Sequence, residues 1–405
     1  MKFDFDQFID RRGTTSIKWN FQEGFGQKDG LLPFWIADTD FATVPEVVEA
    51  LKKRCEHPVF GYSDPLPSTY EAIQGWWQRR HGWRPETEWM FMTCGVVTGI
   101  YFALQALVEK GDKVLTFTPV YDPFFKAIEN SGHTLVACPL HHEDDYYTID
   151  WDLFENELKN GVKAIVFCNP HNPVGRVWTK EELSRFVDLC AQYKVWVLSD
   201  EVHADYGLTR DYTPMGVFEK IHDHLVIYTA ISKTFNLAGL VSACIMVPNK
   251  EVREKVRYEF DSRWMFGPTD FAFTAMEAGY NHGDEWMDAV CEYLRGNVAF
   301  VNSYVSEHMP KIHVTRHEGT FLMWLDMRCA GISSSEMTSI LAKDYGIALG
   351  DGSHYGKEAD GFMRLNIGCT RAVLLQGLQA IEKFYQSYVK YQNQIILRNR
   401  VGGGD

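Results

Sequence analysis

No uninterrupted apolar stretch in the 405-residue chain approaches the roughly 18 residues needed to span a membrane. The richest candidate, IYFALQALV (100–108), runs only nine residues before Glu109 and Lys110 close it. Cysteine occurs nine times, an odd number, and never as a CxxC pair. That usage indicates neither a disulfide framework nor a zinc site and fits scattered reduced thiols in a cytosolic protein. Clusters of Lys and Arg are lacking as well, and the formal net charge of −14 argues against a nucleic-acid partner, which would need positive charge to neutralise phosphates. The acidic balance reads instead as solubility. The opening MKFDFDQFIDRRGTTSIKWN mixes acids and bases and has no apolar run of the kind a secretory signal needs, so a cytoplasmic location is expected. Internal repeats, low-complexity tracts and Ser/Gly linkers are missing; only the tail VGGGD reads as disordered.

What is present is an ordinary globular composition, 45% hydrophobic and 23% charged, in a chain long enough for two or more packed units. From about residue 93 to 250, short β-rich runs alternate with helical patterns: KVLTFTP (113–119), KAIVFCNP (163–170), KVWVLSDE (194–201), HLVIYTAISK (224–233) and SACIMVP (242–248). This alternation predicts an α/β fold with a largely parallel, two-sided buried sheet. Between two of these runs, TKEELSRFVDLCAQY (179–193) carries Thr179 with Glu182 three residues on and apolar positions at helical spacing, which predicts a capped amphipathic helix. A long helical stretch near 285–309, the segment HEGTFLMWLDM and a closing strand–helix pattern predict a smaller α+β unit. The expected division is a large unit over 50–285, a small one built from 1–49 and 286–390, and a tail over 391–405.

In open parallel sheets ligands sit at the carboxyl ends of the strands. The polar residues that follow the apolar runs form one set: Tyr121 after the first, Asn172 after the second, Asp200 and His203 after the third, Ser232 and Lys233 after the fourth. Taken singly, each has a blander reading. A lysine near a strand end is most often solvated, and an asparagine between prolines or an aspartate after a strand is most often a turn former. Their joint occurrence after successive strands decides for function.

An aromatic platform, an amide, a carboxylate and an amine in one crevice are what a pyridoxal-5′-phosphate (PLP) site requires, because the protonated ring must act as an electron sink for a carbanion. Asp200 can hold the ring proton, Asn172 can hydrogen-bond the phenolic oxygen with His203 beside it, and Tyr121 can stack on the ring face. Lys233 supplies the imine and, once freed, an acid–base group for protons at the substrate's α-carbon. The phosphate needs backbone N–H groups at a helix start, and TCGVVTGIYFALQAL (93–107) offers Gly95, Val96 and Val97. That segment matches neither the P-loop nor the GxGxxG pattern, and glycine-containing helix starts are common.

The motifs NPHNPVGRVWT (169–179), SDEVHADY (199–206) and SKTFNLAGL (232–240) resemble fold-type I PLP enzymes, and with them the aspartate aminotransferase-like fold is implied. FDFDQFIDRRGTTSIKWN at the start, LPFWIADTDF (32–41), FGYSDP (60–65) and FMRLNIGCTR (362–371) are similar to the cystathionine β-lyase branch of carbon–sulfur lyases within the class I/II aminotransferase family. The likeness runs from about residue 3 to 388. It implies Lys233 as the Schiff-base lysine, Asp200 as partner of the pyridine nitrogen, Asn172 as donor to the phenolic oxygen and Tyr121 as the stacking ring. It implies Arg364 as a bidentate clamp on the substrate α-carboxylate, with Asn172 and the backbone near Ala37 assisting. It also implies that Tyr62 reaches the phosphate of a neighbouring subunit's cofactor, hence a homodimer with shared active sites. One departure stands out: many aminotransferases carry a phosphate-binding arginine eight positions after the lysine, and here that position is Val241.

The implied reaction is elimination of a thiol from L-cystathionine or a related S-substituted cysteine, giving pyruvate and ammonia. Transamination uses nearly the same residues and is the alternative, and a partner-binding regulatory protein that keeps the fold is a second one. The cluster HHEDDYY (141–147) looks metal-like but lacks fixed ligand spacing, and no metal is expected. Trp76, Trp77, Trp83 and Trp89 fall near an amphipathic helix and its exit and are expected to pack rather than to recognise a ligand.

Overall fold

The structure, a computed structural model, describes residues 3–20, 30–265 and 267–390. The expected tail over 391–405 lies outside the described residues.

The five apolar runs all become strands of one seven-stranded sheet. Read across, its order is Met90–Thr93, Ala243–Met246, Leu225–Thr229, Trp196–Asp200, Val162–Cys168, Lys113–Thr118 and Thr134–Pro139. Five neighbouring strands, from Leu225–Thr229 to Thr134–Pro139, are paired in parallel. Ala243–Met246 is antiparallel to both of its neighbours. The central runs are apolar on both faces because helices cover both: Leu225–Thr229 is buried at all five positions.

The helix Lys180–Tyr193 begins as its sequence predicts. Thr179 accepts from the backbone of Glu182 while the Glu182 side chain accepts from the backbone of Thr179, so two of the orphan N–H groups at the helix start are satisfied. Its buried face is Leu183, Phe186, Val187 and Cys190, at the three- and four-residue steps of a helix lying on a sheet.

A second sheet of four strands, His313–Val314, Leu322–Asp326, Phe362–Asn366 and Gly350–Asp351, lies later in the chain. The 25-residue helix Asp284–His308 precedes it. The amino-terminal part joins this region, since Leu32–Pro33 pairs in parallel with Ile347–Ala348. The segment 141–147 lies mostly in a two-stranded hairpin, His141–Glu143 against Tyr146–Thr148, whose turn residues Asp144 and Asp145 take positive φ. Within it His142 stacks on Tyr147. Among the described residues, no group of three or more His, Cys, Asp or Glu side chains is arranged to hold a metal ion, and no helix is long and apolar enough to cross a membrane. Trp76 and Trp77 are core residues, and Trp83 packs so closely over Gly216 that any Cβ there would overlap its ring.

Candidate active site

A cleft of about 1220 Å³ opens between the carboxyl edge of the large sheet and the segments 35–38 and 349–355. Tyr121, Lys233, Arg364 and Ala37 all line it. Asp200 is buried at the end of its strand, which pairs with Leu225–Thr229, the strand that leads into the short helix bearing Lys233. Asn172 reaches the same region, because its Oδ1 accepts from Arg364 at 3.2 Å.

The electrostatics of this edge follow from dehydration. Burial pushes the Asp200 carboxyl up to about 7, opposed by the Val202 N–H, which it accepts at 3.1 Å, and by the charge of Lys233. Burial, helped by Arg364, lowers the Lys233 amine to about 8, against the pull of Asp38 and Asp200. Its Nζ donates to the Ala37 carbonyl at 2.6 Å. Burial likewise drives His203 well below its ordinary value, so its ring is neutral, and its Nδ1 is buried without a hydrogen-bond partner in the protein. Tyr121 is held above its usual range chiefly by burial.

Arg364 projects from Phe362–Asn366. One NH2 group donates to Asn172 and the other to the Trp35 carbonyl at 2.6 Å, while Nε is buried and unpartnered. Three of the five guanidinium N–H groups therefore stay available for an anion. The Asn172 loop itself is clamped from behind. Buried Arg176 donates to Glu318 at 2.9 Å and to Glu182 at 2.7 Å, and Glu318 also accepts from Arg210 and from the Val177 backbone. Gly175, at φ +73°, lies so close to His317 that a Cβ would come within 2.4 Å of it.

Helix Val96–Leu107 starts at Gly95, whose φ of +157° is a conformation side chains rarely adopt. The first N–H groups of this helix, those of Val96 and Val97 among them, have no partner within the helix, the backbone arrangement that favours an anion. Ser232 sits, partly buried, in the short helix Ile231–Thr234. Tyr62 is not brought to this cleft: it is 97% exposed and lines a separate cavity of about 500 Å³ with Phe60, Tyr70 and Arg257. Val241 lies at the rim of the main cleft, 58% exposed.

Several residues of the site lie outside the strand-end pattern. Arg11 forks onto Asp38 and Asp40, and buried Lys18 pairs with Asp40 at 2.8 Å. Tyr355 packs its ring 5.1 Å from the Arg364 guanidinium. Asp205 and Tyr206 bind the turn that carries Lys233, the latter donating to the Lys233 carbonyl at 3.0 Å. A period of two along Phe362–Asn366 puts Asn366 on the face of Arg364, the only sequence signal available for it.

The donor set fits PLP. A buried carboxylate without a cation in hydrogen-bond contact suits a protonated ring nitrogen. An asparagine whose oxygen is engaged by Arg364 has its NH2 left to donate, and the neutral histidine has an orphan ring nitrogen.

Comparison with known proteins agrees. The family description "Aminotransferase class I and II" matches residues 31–381. The chain is 38% identical over 385 residues to the cystathionine β-lyase PatB of Bacillus subtilis, covering 94% of this chain and 99% of that one. It is 33% identical to protein MalY of Escherichia coli, covering 94% and 98%. Among solved structures, cystalysin from Treponema denticola, which contains a pyridoxal 5′-phosphate cofactor, superposes with a TM-score of 0.91 at 31% identity, covering 95% of this chain and 98% of that one.

Proposed function

The chain belongs to the class I and II aminotransferase family with PLP as its cofactor, and from that premise we propose that it is a carbon–sulfur β-lyase acting on L-cystathionine or a related S-substituted cysteine. The observation that carries the reading is a half-buried amine, lowered to about 8, that lines the cleft and feels the charge of a buried carboxyl raised to about 7 at the end of the neighbouring strand. An amine drawn toward neutrality is suited to taking up and returning a proton, and a carboxylate beside it is suited to a cationic ring nitrogen. The preference for elimination rests on the likeness to a cystathionine β-lyase over nearly the whole chain. Val241, where many aminotransferases have an arginine, points the same way.

When bound, PLP supplies an electron sink for the carbanion at the substrate's α-carbon. Asp200 would keep a proton on the ring nitrogen, Asn172 and His203 would face the phenolic oxygen, and Tyr121 would pack on the ring. Gly95, Val96, Val97 and Ser232 would hold the phosphate. Arg364 would grip the α-carboxylate with its free N–H groups, assisted by the backbone at Ala37, which fixes the α-carbon hydrogen toward Lys233. The Lys233 amine takes that proton. The bond from the β-carbon to sulfur then breaks, its electron pair leaving with the thiolate, which is reprotonated. Hydrolysis of the remaining enamine gives pyruvate and ammonia.

The two units proposed at 50–285 and at 1–49 with 286–390 would meet at this cleft. A second copy of the chain would complete it. Phe60 and Leu66 are exposed in the same stretch of chain as Tyr62, and Tyr62 would there reach the partner's phosphate.

Incubating the purified protein with L-cystathionine and PLP tests the reaction. Equimolar pyruvate and thiol are expected. Amino transfer to a 2-oxo acid with no thiol released would make the enzyme an aminotransferase instead.

A further inference from the structure

Residues 35–39 run past the cleft as an irregular strip, and each of their five carbonyls accepts a hydrogen bond from a side chain. Trp35 accepts from Arg364 at 2.6 Å and Ala37 from Lys233 at 2.6 Å. Ile36 and Asp38, on either side of Ala37, both accept from the single Nδ2 of Asn366, at 2.6 Å each. Thr39 accepts from Asn236 at 2.9 Å. The Asn366 amide is itself fixed, because its Oδ1 accepts from the Gly368 backbone at 2.7 Å and the residue is 1% exposed.

Two carbonyls tied to one nitrogen point to the same side of the strip, and the carbonyl between them must then point away, toward Lys233. We propose that Asn366 is a positioning residue for the acid–base lysine: by straddling Ala37 it aims that carbonyl at the Lys233 amine and so sets both where the free amine rests and how firmly it keeps its proton. This rests on the reading of Lys233 as the reactive lysine. Asn366 touches neither Lys233 nor any group of the reaction directly.

The charged and titratable groups facing Lys233 come from three other places: Arg364 on Phe362–Asn366, Asp38 on the strip, and Asp200 and His203 at the end of Trp196–Asp200. Substituting Asn366 changes none of these groups chemically, and Asp38 is still held by Lys18, which donates to its carbonyl at 3.1 Å, and by the fork of Arg11. A hydrogen bond to the charged form favours that form, so a misaimed carbonyl loosens the lysine's proton.

The test is the pH dependence of labelling of Lys233 by an amine-reactive reagent in the cofactor-free full-length chain, read on the Lys233 peptide by mass spectrometry, beside kcat and KM of the loaded enzyme. Asn366→Ser keeps an acceptor for Gly368 but cannot reach both carbonyls. Its labelling midpoint is expected to fall by about one pH unit, the size of one charge-assisted hydrogen bond, with kcat lowered more than KM is raised. Asn236→Gly, which frees the strip beyond Ala37, is expected to leave the midpoint in place. An unmoved midpoint in Asn366→Ser, or equal shifts in both variants, overturns the proposal. Asn366→Ala replaces the serine variant if that one does not fold, and failure of both to fold equally overturns a local aiming role. If Lys233 in the unsubstituted protein labels like an ordinary lysine and PLP does not protect it, the reading of Lys233 fails instead. A lowered, PLP-protected Lys233 that ignores Asn366 defeats only the present inference.

Discussion

Thr234 donates its hydroxyl to Asp205 at 2.6 Å, so the residue next to Lys233 in the chain is anchored to a buried carboxylate that also accepts from Trp76 at 2.9 Å and contacts His81 at 3.0 Å. Three elements are thus joined behind Lys233. Thr234→Val keeps the shape and removes the donor, leaving the carboxylate one partner short. A loss of about 1–3 kcal/mol is expected in urea unfolding, and Thr234→Ser should restore most of it.

The Asp200 carboxyl is raised by burial from about 3.8 to about 7. A group with a raised folded pKa binds its proton more tightly in the native state, so it subtracts stability as pH climbs between the two values. In the cofactor-free protein, the stability of Asp200→Asn relative to the unsubstituted chain should therefore grow from about pH 4 to about pH 7 and level off above. Glu201, also raised to about 7 by burial, remains in both proteins. With PLP bound, the carboxylate gains a positive partner, and the rise should vanish. Chemical denaturation at a series of pH values reads both cases.

Arg364 divides its fork between Asn172 and Trp35 while keeping N–H groups free. Lysine has one compact charge and cannot hold both neighbours and a carboxylate in plane. Arg364→Lys should cost about 1.5–3 kcal/mol of transition-state binding, a fall of roughly 10–100-fold in kcat/KM. The fold should be retained, as circular dichroism would report. An unchanged kcat/KM would remove the arginine from the substrate's carboxylate.

Arg176 is fully buried between Glu182 and Glu318. Although burial alone would raise the Glu318 carboxyl, the Arg176 charge and the Val177 N–H hold it below its ordinary range. Arg176→Met strips a buried carboxylate of its main partner, an event that costs about 3–5 kcal/mol. Because Arg176 also anchors the loop bearing Asn172, PLP affinity should weaken in parallel, measurable by fluorescence titration.

Lys233, Asp200 and Asn172 were legible because parallel strands deliver their following residues to one edge, and each sits within a few positions of an apolar run. The helix Lys180–Tyr193 was legible for a similarly local reason, the reciprocal bonds of Thr179 and Glu182. Nothing local, by contrast, marks Ala243–Met246 as antiparallel, since an apolar run buried on both faces carries no direction. Nor does any nearby residue announce that the Lys233 amine will meet the Ala37 carbonyl or that Asn366 will straddle that carbonyl.

The sequence by itself determined five of the seven strands of the large sheet, the capped helix and the polar residues that follow the strands, because hydrophobic period and capping act over a few residues; the edge strands Met90–Thr93 and Thr134–Pro139 were not among them. Only the tertiary structure decided the proton affinities and the aim of these groups. Dehydration of Asp200 and Lys233, the clamp on Arg176 and the strip at residues 35–39 all arise where segments far apart in the chain exclude water from one another.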